Sequence, residues 1–103
     1  MQSRPVHGYA DLVQAIRERI AELRVTYGTV DDVSGLACGH TEKICNRRKS
    51  LADVSLPAIL GALGLRLEIS VDAEQFEVVR SRLTPSNHRR RTHWRRRQGT
   101  LFP

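Results

Sequence analysis

Cys38, His40 and Cys45 are the side chains best suited to metal or redox chemistry, and they stand as Cys38-x-His40-x4-Cys45 within a helical turn or two. A structural zinc site takes four such ligands, usually in paired spacings, so a distant residue such as His7 would have to complete the set. Free thiols are the better expectation, the ordinary state of cysteine in a reducing compartment. Asp31 and Asp32 are adjacent, so on a helix they diverge instead of converging on a substrate, and they are expected to lie on a solvated face. There is no glycine-rich phosphate loop, nucleophile elbow or His-rich metal motif. No enzyme, metal or cofactor is therefore expected.

What remains is chemistry of hydrogen bonding and charge. Lys43 can reach a guanine edge or a phosphate, Asn46 can read adenine, and Glu42 can accept from cytosine. Arg47, Arg48 and Lys49 follow directly and suit clamping of a phosphate backbone, where position and charge matter but base sequence does not. Charge is unevenly divided: Met1 to Leu83 holds 11 Lys+Arg and 11 Asp+Glu, and the whole excess of +6 falls in residues 84–103. There Arg89, Arg90, Arg91 and Arg95, Arg96, Arg97 flank Trp94. That pattern fits a neutral module with an arm for polyanions, in which the arginines release counterions and Trp94 can stack on a base. A solubilising tail is the plain alternative, and an arginine-rich arm that folds on RNA is the rival of a different class.

The elements that must position these residues are helical. A chain of 103 residues suits one domain, and its 40% hydrophobic content contains no apolar run near the roughly 20 residues of a membrane span. Nothing in Met1–Ala10 offers a signal-peptide core, so a cytoplasmic, nucleoid-associated protein is expected. Leu12, Val13, Ile16, Ile20 and Leu23 recur at helical spacing, predicting a helix over 11–23. Thr26 caps a second over 27–34, with Val30 and Val33 inward and Gly35 at its end. A turn at 35–37 leads to a third helix over 38–45, anchored by Ile44 and showing Glu42, Lys43 and Asn46 outward. A basic loop then reaches Ser55, the expected cap of a fourth helix over 56–63 that Gly64 stops.

Leu65 to Val71 alternates apolar and polar residues, the signature of a strand. A lone strand needs a partner, and pairing with a second copy across a two-fold axis is the economical solution. Asp72 caps a last helix whose Phe76, Val79 and Leu83 are spaced to dock on the core. The expectation is a mainly α fold of four to five short helices with one short strand: an arm over 1–10, a domain over 11–83 and a basic tail over 84–103.

The run from Thr26 to Ile44, with Val33-Ser34-Gly35-Leu36 at its turn, and the run from Ser55 to Leu65 with Gly61-Ala62-Leu63-Gly64-Leu65, together resemble the Cro-like, XRE-type helix-turn-helix regulators, in particular a compact alphaproteobacterial subgroup. The resemblance covers about residues 12–71. It implies a third helix in the major groove of double-stranded DNA and regulation of transcription, with Tyr27 at phosphate and Cys38, Gly39, His40, Glu42, Lys43 and Asn46 at or beside the bases. Two residues depart from the wider pattern: Asp31 stands where a small alanine is usual, and Thr41 where an aliphatic residue is. A homodimer is the expected assembly. The rivals are an antitoxin or accessory protein that also binds a protein partner, and an RNA- or ribosome-associated protein driven by its tail.

Overall fold

The computed structural model of the chain describes residues 1–83. The tail residues expected at nucleic acid, Arg89, Arg90, Arg91, Trp94, Arg95, Arg96 and Arg97, lie outside the described residues. The chain divides into two compact units, Met1–Leu67 and Glu68–Pro103, a boundary that falls inside the segment expected to be a strand.

In the first unit, α1 (Tyr9–Leu23) buries Val13, Ile16 and Ile20 along one stripe. It starts two residues before the expected Asp11, and Asp11 accepts the His7 N–H at 3.0 Å across its first turn. The arm before it lies along the same helix through two exposed ion pairs, the terminal amine with Glu22 at 3.0 Å and Arg4 with Glu18 at 2.9 Å. α1 ends on Arg24 in the left-handed conformation, φ 59°, with the Arg24 and Val25 N–H groups donating back to the Ala21 and Ile20 carbonyls.

α2 (Tyr27–Ser34) begins as expected on Thr26, whose hydroxyl accepts the Thr29 N–H at 3.1 Å, and stops at Gly35, φ 79°. Its inward stripe corrects the sequence reading. Val33, expected inside, is 66% exposed, whereas Asp31, expected on a solvated face, is 3% exposed. The turning of the helix explains this: Tyr27, Val30, Asp31 and Ser34 recur at three- and four-residue steps and share one face, from which Val33 is displaced.

α3 (His40–Cys45) starts two residues later than expected, because Gly39 takes φ 85° and cannot belong to a right-handed helix. Thr41, Ile44 and Cys45 are buried beneath it. Gly39, the residue at its N-cap, has no side chain with which to satisfy the first N–H groups of the helix. Asp31 supplies that cap from α2: its carboxylate accepts the Gly39 N–H at 2.9 Å, the Thr41 N–H at 2.9 Å and the Thr41 hydroxyl at 2.6 Å.

α4 (Ser55–Leu63) closes the unit, with Ile59 and Leu63 buried and Pro57 in the first turn where a missing N–H is harmless. Ser55 is the first helical residue and not the cap; its buried hydroxyl accepts the Ala52 N–H from the preceding loop at 2.8 Å. Gly64, φ 67°, ends the helix, and the Leu65 N–H donates to the Leu60 carbonyl at 2.8 Å while Leu65 packs on the core. The Arg19 guanidinium of α1 donates to the Leu63 carbonyl at 3.0 Å, satisfying another group at that end. Ile16, Ile20, Val30, Ile44, Cys45, Ile59 and Leu63 form the core shared by these four helices.

The second unit, as described, holds α5 (Ala73–Val79) and a single 3-10 turn, Arg80–Arg82. Asp72 caps α5 as expected, accepting the Gln75 N–H at 3.0 Å. Two expectations fail here. No β-strand forms among the described residues, and Leu67, Ile69 and Val71 are exposed. Phe76 and Leu83, expected on the core, are exposed too, and α5 has no buried residue. Alternation marks which side chains share a face, but a strand exists only when a neighbouring strand completes its ladder.

Burial alone raises the pKa of the Asp31 carboxyl, but hydrogen bonds from the Thr41 hydroxyl, the Thr41 N–H and the Gly39 N–H outweigh it and hold the group below its ordinary value. Its contribution to stability is therefore complete above the ordinary carboxylate range and fades as pH falls through the lowered folded value. Asp31→Asn turns an amide N–H toward these donors and is expected to destabilise the unit by roughly 2–4 kcal/mol at neutral pH. That gap from wild type, read from urea midpoints, should narrow on acidification below about pH 4; a gap that stays constant would show that the ionised carboxylate is not what caps α3. Asp31→Ala with Thr41→Val should cost less than the two single losses added together.

Candidate nucleic-acid interface

With Thr41, Ile44 and Cys45 committed to the core, helical geometry leaves Glu42, Lys43 and Asn46 on the opposite side of α3, and all three are exposed. Asn46 follows Glu42 by four residues and Lys43 by three, so the trio forms one ridge. This matches the outward face expected for these residues.

The basic run that follows is shaped by how α3 ends. The Arg47 N–H donates to the Ile44 carbonyl at 3.1 Å and the Arg48 N–H to the Lys43 carbonyl at 2.8 Å, the paired bonds of a Schellman motif. Such a motif needs a left-handed residue, usually glycine, and here Arg47 fills the place with φ 63°. An L-residue there is disfavoured by about 1–2 kcal/mol. Its guanidinium lies 5.4 Å from the centroid of the Tyr9 ring at the start of α1, a cation–π contact that recovers part of that strain. The Tyr9 hydroxyl also accepts the Leu51 N–H at 2.7 Å. One aromatic side chain thus pins both ends of the basic loop.

Arg47, Arg48 and Lys49 are all exposed, and Arg48 is ion-paired with Glu42. This pair neutralises the acid on the ridge, so Lys43, Arg47 and Lys49 set the sign of the face. Between exposed partners such a pair contributes little, about 0–1 kcal/mol, and is readily exchanged.

Other residues expected at the interface lie differently. Cys38 is exposed in the turn, outside α3. Gly39 is half-buried, with its N–H turned to Asp31. His40 is half-buried, and its Nε2 is enclosed without a hydrogen-bond partner among the described residues. Tyr27 packs against the core, near the buried Cys45 thiol. Burial pushes that thiol's pKa up against the opposing influence of Arg17 and Tyr27, keeping Cys45 protonated and a poor nucleophile or ligand. Among the described residues no group of three or more His, Cys, Asp or Glu side chains is placed to hold a metal ion, and no helix is long and apolar enough to cross a membrane.

Sequence reasoning missed Tyr9, which meets Leu51 across 42 residues of chain. It also missed the joint role of Asp31 and Thr41, although both stood out as departures from the pattern the chain resembles. No family model, curated protein or solved structure matches the chain.

Arg47→Gly removes the left-handed strain and the cation–π contact together. These are of similar size, about 1 kcal/mol each, so the melting temperature is expected to stay within a few degrees of wild type. A drop of ten degrees or more would mean that Arg47 is a structural residue and not a cation held out for a ligand.

Proposed function

We propose that the chain is a sequence-specific DNA-binding transcriptional regulator, in which α2 and α3 form a helix-turn-helix and α3 enters the major groove. The observation that supports this most is the ridge of Glu42, Lys43 and Asn46, held outward on a helix whose base is capped from α2 by Asp31 and whose end carries a pinned cationic loop. A helix with its side chains is about 10–12 Å across, and the major groove is about 12 Å wide. Lys43 and Asn46 offer donors that suit guanine and adenine edges, and Arg47 and Lys49 offer sequence-independent contacts to the flanking phosphates. The resemblance to Cro-like regulators supports the same assignment. Tyr27, Gly39 and His40 take no part in it, being turned wholly or partly toward the protein. The arginine-rich tail would add affinity without specificity.

The test is a mobility-shift titration against a duplex selected from a random pool and against unselected duplex. Lys43→Ala and Asn46→Ala are expected to weaken the selected site by about 1–3 kcal/mol each while changing random duplex far less. Arg47→Gly and Lys49→Ala should weaken both duplexes alike, each lowering the slope of log affinity on log salt by about one. Removing residues 84–103 should reduce affinity but keep the preference. Equal losses at both duplexes for Lys43→Ala and Asn46→Ala would end the assignment of base reading, and a preferred target lost with the tail would favour the RNA-binding class.

A further inference from the structure

We propose that Tyr9 is a phosphate ligand: its hydroxyl donates to a backbone phosphate of the duplex beside Arg47, which extends the nucleic-acid interface from α3 and its basic loop to the start of α1. The proposal rests on the DNA-binding reading of α3, but a phosphate contact carries no base sequence and is tested apart from base reading.

Only half of the phenol's hydrogen-bonding capacity is used. Its oxygen accepts the Leu51 N–H at 2.7 Å, and among the described residues its own proton has no acceptor. A phenol both accepts and donates, so a donor is left over on a side chain that is 37% exposed. Neither role already found for Tyr9 accounts for it. The cation–π contact, with the Arg47 guanidinium 5.4 Å from the ring centroid, needs the ring alone, and phenylalanine would supply that. The bond from Leu51 is exposed, where water serves an N–H nearly as well. What that bond adds is orientation, together with a polarised O–H that is the stronger donor for it.

Position and charge select the ligand. Leu51 follows Lys49 by two residues, a reach of at most about 7 Å, so the hydroxyl is tied to the same loop whose exposed cations flank the ridge of α3. The ring itself lies against Arg47, which the reading of α3 already places at phosphate. The acid of the ridge, Glu42, is engaged by Arg48, and among the described residues no carboxylate is bonded to Tyr9, Arg47 or Lys49. Three donors, two of them charged, therefore stand together with the phenol's acceptor role already taken. Such a set suits an oxyanion, with which hydrogen bonds are charge-assisted, and not a base edge that mixes donors with acceptors. Beside the major groove that oxyanion is the backbone phosphate, to which tyrosine hydroxyls donate.

The experiment uses the full chain in mobility-shift titrations over a series of salt concentrations. Tyr9→Phe keeps the ring against Arg47 and deletes one hydroxyl, with an unchanged helical circular-dichroism spectrum expected. It should weaken selected and unselected duplex alike by about tenfold, the worth of one hydrogen bond to a charged group. The slope of log affinity on log salt should stay as in wild type, because a neutral phenol releases no counterion. If Tyr9 did no more than pin the loop, its loss would act through the cations and the slope would fall, as for Arg47→Gly. A second measurement leaves the protein intact: single uncharged methylphosphonates are placed in turn along the selected duplex. At the phosphate that Tyr9 holds, the losses from methylphosphonate and from Tyr9→Phe should overlap, the combined loss falling short of their product by about threefold or more, and elsewhere they should multiply. Wild-type affinity for both duplexes in Tyr9→Phe overturns the proposal, as does a lowered salt slope or losses that multiply at every phosphate. Equal losses for Lys43→Ala and Asn46→Ala would end base reading and leave a Tyr9→Phe defect on unselected duplex standing; an inert Tyr9→Phe beside intact discrimination by Lys43 and Asn46 would do the reverse.

Discussion

The first unit turns on one buried carboxylate. α3 has six residues and a glycine at its N-cap, too little to hold itself in a helix, and most of its anchoring side chains are small. Asp31 binds the start of that helix to α2 with three hydrogen bonds, two of them to Thr41. Burying a charge is ordinarily unfavourable, and it is tolerated here because helical N–H groups that would otherwise be orphaned become charge-assisted donors. With both ends of the Gly35–Gly39 connection joined through Asp31, α3 cannot roll about its axis without breaking that cap. The direction of Glu42, Lys43 and Asn46 follows from a contact on the other side of the helix.

The cationic loop shows a second constraint. Two left-handed helix ends in this unit carry arginine, at 24 and 47, where glycine would be easier. At Arg47 the strained backbone is combined with a ring contact to Tyr9, and Tyr9 also holds the loop at Leu51. A glycine would relieve the strain but lose a charge beside α3. Strain kept at a site where charge is displayed is the pattern expected of a binding surface, in which some stability is traded for a preset geometry.

How much of this was legible in the sequence depended on distance along the chain. Local signals held where neighbours decide the outcome: the stripe of α1, Thr26 and Asp72 as caps, Gly35 and Gly64 as stops. They failed where the partner is remote. Hydrophobicity favours Val33 over Asp31 as an inward residue; the face that Asp31 shares with Tyr27 and Val30, together with its ten-residue reach to Thr41, reverses that order. The two residues look like separate oddities beside the Cro-like pattern, an acid for an alanine and a hydroxyl for an aliphatic, yet in space each accounts for the other. Tyr9 gave no local sign at all. The alternation after Gly64 produced a strand on paper and exposed side chains among the described residues, because alternation alone supplies no neighbouring strand to complete a ladder.

The same geometry bears on how α3 would discriminate between sequences. Glu42 is the one acid on the ridge, and a carboxylate brought near phosphate is repelled unless something compensates. Within the free protein Arg48 compensates it across an exposed, weak ion pair. On the proposed reading, approach to a duplex would draw Arg48 toward phosphate and leave Glu42 uncovered, so the interface would carry a penalty that a base amino group in the major groove, cytosine N4 or adenine N6, relieves and guanine and thymine do not. Specificity on this view arises partly from a contact that is unfavourable everywhere but the right place, with Arg47 and Lys49 supplying attraction common to all duplexes. That division requires the ridge to be rigid, since a mobile Glu42 would swing away from phosphate, and rigidity returns the argument to the capped start of α3.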